Sequence, residues 1–181
     1  IVFARGNRFS PDGVAAGRAL FDAGVERFPT HYPLYFGMLR VLQPRVQGSF
    51  EQVAAFIGEA TARVPEAERD PLYARLYAHY AVLEGDEADI YANAQADWPR
   101  IERGFREMLD RHPESDYLLN AFANLACRRG DVSVYRSLRA EVAVRPSSAA
   151  WRGRVQPETC DERIESLARR GEAIGGAPRF G

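Results

Sequence analysis

The chain has 181 residues, 46% of them hydrophobic and 27% charged, with a formal net charge of −1. A chain of this size buries roughly 70% of the surface its unfolded form exposes, so a core is attainable without metal or disulfide staples. Its composition argues against a disordered chain, and its charge balance gives no support to a nucleic-acid binder. No run approaches the ~20 apolar residues of a membrane helix, so no membrane insertion is expected.

Residues 1–9 (IVFARGNRF) read as a short N-terminal arm, after which Ser10-Pro11-Asp12 opens a helix, with Pro tolerated in the first turn. Val14, Leu20, Phe21, Val25 and Phe28 place apolar side chains along it as far as Pro29. Pro33 opens a second helix (Leu34, Phe36, Met38, Leu39, Val41, Leu42) that stops at Pro44. Ser49 with Gln52 three residues on is a capping-box pattern, and starts a third helix whose Phe50, Val53, Ala54, Phe56 and Ile57 form the buried stripe before Pro65. The fourth runs from about Asp70-Pro71 to Leu83, with Leu72, Leu76, Tyr80 and Leu83 on one face.

A fifth helix begins near Asp97-Trp98-Pro99 and carries Ile101, Phe105, Met108 and Leu109 to His112-Pro113. The sixth spans Ser115 to Arg129, with Leu118, Leu119, Phe122, Leu125 and Ala126 inside. Gly130-Asp131 turns the chain into a seventh (Val134, Leu138, Val142) that closes before Pro146. Beyond a small-residue loop containing Trp151, Pro157-Glu158 opens an eighth to Arg170, and residues 171–181 read as a flexible Gly-rich tail. Acid-first pairs four apart (Glu59/Arg63, Glu102/Arg106, Glu107/Arg111, Glu165/Arg169) support the helices. No segment alternates with β-branched residues, so no sheet is expected. The expectation is an all-α fold of about eight helices stacked as antiparallel hairpins, one domain over 10–170, with a concave face lined by the second, fourth and sixth helices.

An internal repeat supports that architecture. Phe28-Pro29, Leu34, Met38, Leu42 and Gly48-Ser49 match His112-Pro113, Leu118, Phe122, Ala126 and Gly130-Asp131; Tyr77-Ala78, Ala81 and Gly85-Asp86 form a partial third copy. Alanine at a helix crossing lets two backbones approach while an aromatic one turn earlier fills the gap. In this the chain resembles the tetratricopeptide class of helical hairpins, an α-solenoid architecture, though with irregular spacing. The stretch HYPLYFGMLRVLQPRVQGSFEQVAAFI is also similar to an uncharacterised bacterial helical-repeat family, a domain of unknown function. That family carries a Tyr-x-x-Tyr-Phe helix and then Leu-x-Pro-Arg-Trp-Gly-Gly-Ser. Val46-Gln47 stands where the family has Trp-Gly, and the similarity covers about residues 28–64. It implies a fold and no activity.

Chemistry-bearing patterns are few. His31, His79 and His112 lie in three different elements without HxxxH or HExxH spacing. Cys127 and Cys160 have no CxxC or His neighbours; they predict one buried thiol and one near the C-terminal segment, or else a single disulfide in an oxidising compartment. Glu84, Asp86, Glu87 and Asp89 fail the register of a calcium loop, because Gly85 precedes most of the acids, and read as a solvated connector. Gly24, Gly37 and Gly58 fall inside helices and predict close packing. The basic residues other than His are all Arg, which fits either codon bias or a surface built for bidentate carboxylate recognition.

Two polar stripes are the candidate binding sites. Asn120, Asn124 and Arg128 lie four apart on the sixth helix, on a face other than its apolar stripe. Asn offers donor and acceptor, and Arg a fork for a partner's carboxylate. Arg75 and His79 form a similar stripe on the fourth helix, beside an aromatic set of Tyr73, Tyr77 and Tyr80 that reads as core with hydroxyls at the rim, or as an aromatic groove for a peptide. The function expected is a protein–protein interaction scaffold or adaptor that binds a protein or peptide segment, with no catalytic residues, cofactor or metal. The rivals are a hydrolase-like enzyme whose site assembles only in three dimensions, and a partner-neutralising or secretion-associated protein. A cytoplasmic location is expected, or a periplasmic one if a signal peptide has been removed. Asn124→Ala with Arg128→Ala should then weaken partner capture and leave thermal stability nearly unchanged.

Overall fold

The structure, a computed structural model, describes residues 13–84, 89–151 and 155–172. The expected arm, the Ser10-Pro11-Asp12 helix start, most of the acidic connector and all but the first two tail residues lie outside these. The described residues form eight α-helices and no strand: α1 (Gly13–Arg27), α2 (Tyr32–Val41), α3 (Phe50–Ala62), α4 (Glu66–Glu84), α5 (Trp98–Arg111), α6 (Asp116–Arg129), α7 (Val132–Val144) and α8 (Pro157–Arg170), with a 3-10 turn at Ser148–Ala150. The fold is all-α. None of the described helices is long and apolar enough to cross a membrane.

Local chemistry sets most boundaries. Ser49 accepts from the Gln52 amide at 3.2 Å, Ser115 from Leu118 at 3.4 Å and Asp131 from Val134 at 2.9 Å, each satisfying a first-turn N–H that has no helical partner. Gly130 ends α6 at φ 79°, a left-handed value that costs glycine little. The fourth helix departs from expectation: it starts at Glu66, not near Asp70, with Pro71 inside it. Its first turn carries Glu66 and Glu68, which the positive end of the helix dipole favours. Of the expected ion pairs, Arg63 meets Glu59 at 2.8 Å and Arg111 meets Glu107 at 3.9 Å, whereas Glu165 reaches across to Arg136 of α7 at 3.0 Å.

The contacts of the chain group into two compact units, divided within α5 after Gly104. In the first, α1 packs on α2, α3 on α4, and α2 on α4. Phe21 sits edge-on to Tyr35 and Phe56 at centroid distances of 5.2 and 5.1 Å, above buried Leu39, Val53, Ile57, Leu72 and Leu76. Ala74, Ala78 and Ala81 are buried, as the small-residue argument requires. Gly24 is a close approach: a Cβ there would lie 2.9 Å from Leu34 Cδ1. Gly58 is not, since a Cβ there would meet nothing within 4 Å, which corrects the expectation of close packing.

Cross-helix pairings reveal the repeat step. Arg18 pairs with Glu59 and Asp22 with Arg63, so α1 and α3 run parallel in register; Gln43 donates to Glu84 at 2.7 Å at the far end of α2 and α4. All three pairs are 41 residues apart. One α–α hairpin thus follows another at a step of about that length, which is the arrangement of stacked hairpins. The sequence copies at Phe28 and His112 stand about two such steps apart.

In the second unit α6 packs on α7, on the 3-10 turn and on α8, and α7 packs on α8. Phe105 stacks on Phe122 at 5.1 Å, among buried Met108, Leu118, Leu125, Tyr135 and Val142. Cys127 of α6 and Cys160 of α8 are joined in a disulfide with Cα atoms 5.7 Å apart, both side chains buried. The reading of two separate thiols is therefore corrected: the segment after α7 brings the first turn of α8 to the last turn of α6, a proximity the spacing of the cysteines does not reveal.

Candidate functional site

Of the polar stripe of α6, Asn120 and Asn124 do not face outward, while Arg128 stays half-exposed. Asn120 is fully buried and Asn124 nearly so. The Asn120 amide donates to the carbonyls of Asp116 and Arg145 at 2.7 Å each, and its oxygen accepts from the Trp151 indole at 2.9 Å. Asn124 donates to the Ala150 carbonyl at 3.2 Å and accepts from Arg128 at 2.8 Å. The physical reason is the segment after α7. It folds back over α6, and its backbone carbonyls, lacking helical partners, take the asparagine donors that the sequence reading assigned to a partner.

Tyr73 and Tyr77 follow the reading as core and not the one as an aromatic groove for a peptide. Both are buried, and Tyr77 donates to the Ala94 carbonyl at 2.6 Å while Tyr73 accepts from the Asp97 amide at 3.0 Å. They fasten the connector between α4 and α5. Burial pushes the Tyr77 hydroxyl well above the usual phenol range, so it stays a donor.

Arg75 and His79 do share a half-exposed face, and α2 supplies its other side. The Arg75 guanidinium lies 5.2 Å from the Tyr32 ring centroid; one turn further on, His79 stacks on Phe36 at 4.6 Å with the planes 30° apart. Residues four apart on one helix occupy one face, so Tyr32 and Phe36 of α2 pair in step with Arg75 and His79 of α4. At the start of this ladder the Tyr32 hydroxyl donates to Glu68 at 2.8 Å. Burial first, and then the Glu68 carboxylate, raise that hydroxyl to about 12 against the opposing pull of Arg75. Sequence reading assigned Phe36 to the apolar interior and gave Tyr32 no role. The signal for them was the i, i+4 aromatic spacing, although nothing in it pointed to α4.

A second convergence of titratable groups lies in the other unit. The Arg139 guanidinium grips Asp161 with both oxygens engaged at 2.8–3.0 Å, and the Tyr135 hydroxyl donates to the same carboxylate at 2.8 Å. Arg139, with a smaller contribution from Tyr135, holds the Asp161 carboxyl below the usual range against burial, while burial pushes the Tyr135 hydroxyl up. Both directions are wrong for a general acid or an activated nucleophile, which need pKa values brought toward neutrality. This group is a clamp for α8. Among the described residues no three His, Cys, Asp or Glu side chains gather as a metal site.

Compared with known proteins, the chain matches no family model, no curated protein and no solved structure.

Proposed function

We propose that the chain is a tetratricopeptide-like interaction scaffold whose α2–α4 face receives a segment of a partner protein. The observation that carries this reading is the ladder of Tyr32 with Arg75 and Phe36 with His79, half-exposed on two parallel helices. The Tyr32 ring restrains the Arg75 guanidinium, and a restrained cation loses less freedom when an acidic group of a partner approaches it. Aromatic faces beside it supply apolar area at low conformational cost. Such a face suits a segment carrying an acidic side chain next to an apolar one. The resemblance of residues 28–64 to the uncharacterised bacterial helical-repeat family is compatible with this reading. The compartment we propose is an oxidising one such as the periplasm, supported by the Cys127–Cys160 bond, since cytosolic thiols are kept reduced.

The test compares proteins captured from the native organism by the wild-type chain and by Arg75→Ala/His79→Ala, quantified by mass spectrometry after both baits are shown to melt alike. A specific partner should drop about tenfold or more with the double variant, the size expected for an interface anchor. Equal recovery would retire the face.

A further inference from the structure

The C-terminal helix is held to its unit by an unusual division of labour. α8 buries only two side chains, Cys160 and Ile164, and one of them is half of the disulfide. Half-buried Leu167 adds a contact against Gly130 at the end of α6, and the remaining ties are polar: Asp161 to Arg139 and Tyr135, Glu165 to Arg136, and Arg163 to the carbonyls of Cys127 and Arg128 at 3.2 and 3.4 Å. The Glu165–Arg136 pair is more than half exposed on both sides, and Asp161 is 41% exposed, so water screens both pairs. A helix of 14 residues with so little apolar burial is marginal without an anchor. The disulfide closes a segment of 33 residues, and so removes much of the freedom that release of α8 would gain.

We infer that the Cys127–Cys160 bond is a redox latch: α8 stays on the α6–α7 hairpin when the bond is formed and leaves it when a dithiol reductant breaks it. The two sulfurs differ in setting. Cys160 is in the first turn of α8, whose dipole favours a thiolate, and Cys127 is in the last turn of α6, whose dipole disfavours one. The reductant's thiolate attacks Cys127 Sγ, and Cys160 leaves as the thiolate. The reductant's second thiol, as thiolate, attacks the mixed disulfide, releasing Cys127, and the reductant ends as its own disulfide. Two electrons pass from the dithiol to the protein bond, and the two cysteines end as thiols or thiolates by taking up the protons released. Both cysteines are buried, so the first attack follows a transient lifting of the first turn of α8. Release would uncover the seat of Ile164 and withdraw Arg163 from the C-terminal carbonyls of α6. This holds independently of the α2–α4 reading.

Amide hydrogen exchange on the intact chain, oxidised and then reduced with dithiothreitol, tests it. Exchange over 161–170 should rise about a hundredfold on reduction, while α6 and α7 keep their protection. Cys127→Ser/Cys160→Ser should reproduce the reduced pattern; if that variant fails to fold, the reduced wild type, made from folded protein, carries the test alone. Asp161→Asn, which keeps the bond, should raise exchange of α8 far less than reduction does. Unchanged protection of α8 on reduction overturns the latch. Loss of protection throughout α6 and α7 as well also overturns it, because the bond would then staple the whole unit.

Discussion

The Trp151 indole donates to the side-chain oxygen of Asn120 at 2.9 Å, on a helix face where polar residues would ordinarily meet water. With its amide shared between two carbonyls, Asn120 is the point at which the chain after α7 is tied to α6. Replacing it with Ala would strand the Arg145 carbonyl and the indole N–H in the interior. Leaving buried polar groups unpaired costs about 1–3 kcal/mol each, so Asn120→Ala should lose about 3 kcal/mol in urea unfolding. Asn124→Ala should lose about 1–2 kcal/mol on the same grounds. The earlier expectation that Asn124→Ala/Arg128→Ala leaves stability nearly unchanged is replaced by this one. An unfolding midpoint for Asn120→Ala within error of wild type would show that these bonds are dispensable.

Helix existence, the cap at Ser49 and the buried alanines were all legible because each follows from spacing or from one side chain acting on its own backbone. What the sequence hid depends on which helix lies next to which. Asn120 and Asn124 obey the rule that polar residues off the apolar stripe face solvent, until the segment bearing Ala150 and Trp151 covers them. Cys127 and Cys160 carry no mark of proximity. Tyr32 and Arg75 meet only because α2 and α4 run parallel one hairpin step apart.

Gly104 and Gly58 provide opposite outcomes from the same substitution. A Cβ at Gly104 would lie 2.1 Å from the Asp70 carbonyl and 2.9 Å from Ala74 Cβ, so α4 and α5 touch through backbone there and Ala cannot be accommodated without moving a helix. Gly104→Ala should destabilise by about 2–3 kcal/mol, the overpacking cost outweighing the ~1 kcal/mol gain in helix propensity. At Gly58 only the gain remains, so Gly58→Ala should stabilise by about 0.5–1 kcal/mol. Thermal melts of the two variants read both signs, and a stabilised Gly104→Ala would contradict the backbone contact.

Tyr77 and Tyr80 separate a bonded hydroxyl from an unbonded one. Both rings are buried, but Tyr77 reaches the Ala94 carbonyl, while the Tyr80 hydroxyl has no hydrogen-bond partner among the described residues. Removing a buried hydroxyl that makes no bond removes a desolvation cost. Tyr80→Phe should therefore be neutral or stabilising by up to about 1 kcal/mol, and Tyr77→Phe destabilising by about 1–2 kcal/mol. A loss for Tyr80→Phe equal to that for Tyr77→Phe would mean its hydroxyl is satisfied by ordered water.

Asp161 gives the second unit an acid-sensitive tie. The Arg139 guanidinium, hydrogen-bonded to both oxygens, holds its carboxyl below the ordinary value against the opposing effect of burial. A carboxyl lowered in the folded state binds fewer protons there than in the unfolded chain, so its contribution is fully present above the unfolded value of about 3.9 and is lost as pH falls through the folded value. Stability conferred by this pair should thus decline only below about pH 4 and disappear in stronger acid. Asp161→Asn removes the titration. Because the carboxylate is 41% exposed, screening limits the loss at neutral pH to about 1 kcal/mol. Asp22, Glu59 and Asp70, which arginine partners also hold low, keep titrating in both proteins, so the informative quantity is the difference between wild type and variant. Urea midpoints followed from neutral pH into acid should converge as the carboxyl of the wild type is protonated. A constant gap across that range would show that Asp161 stabilises α8 through packing and not through its charge.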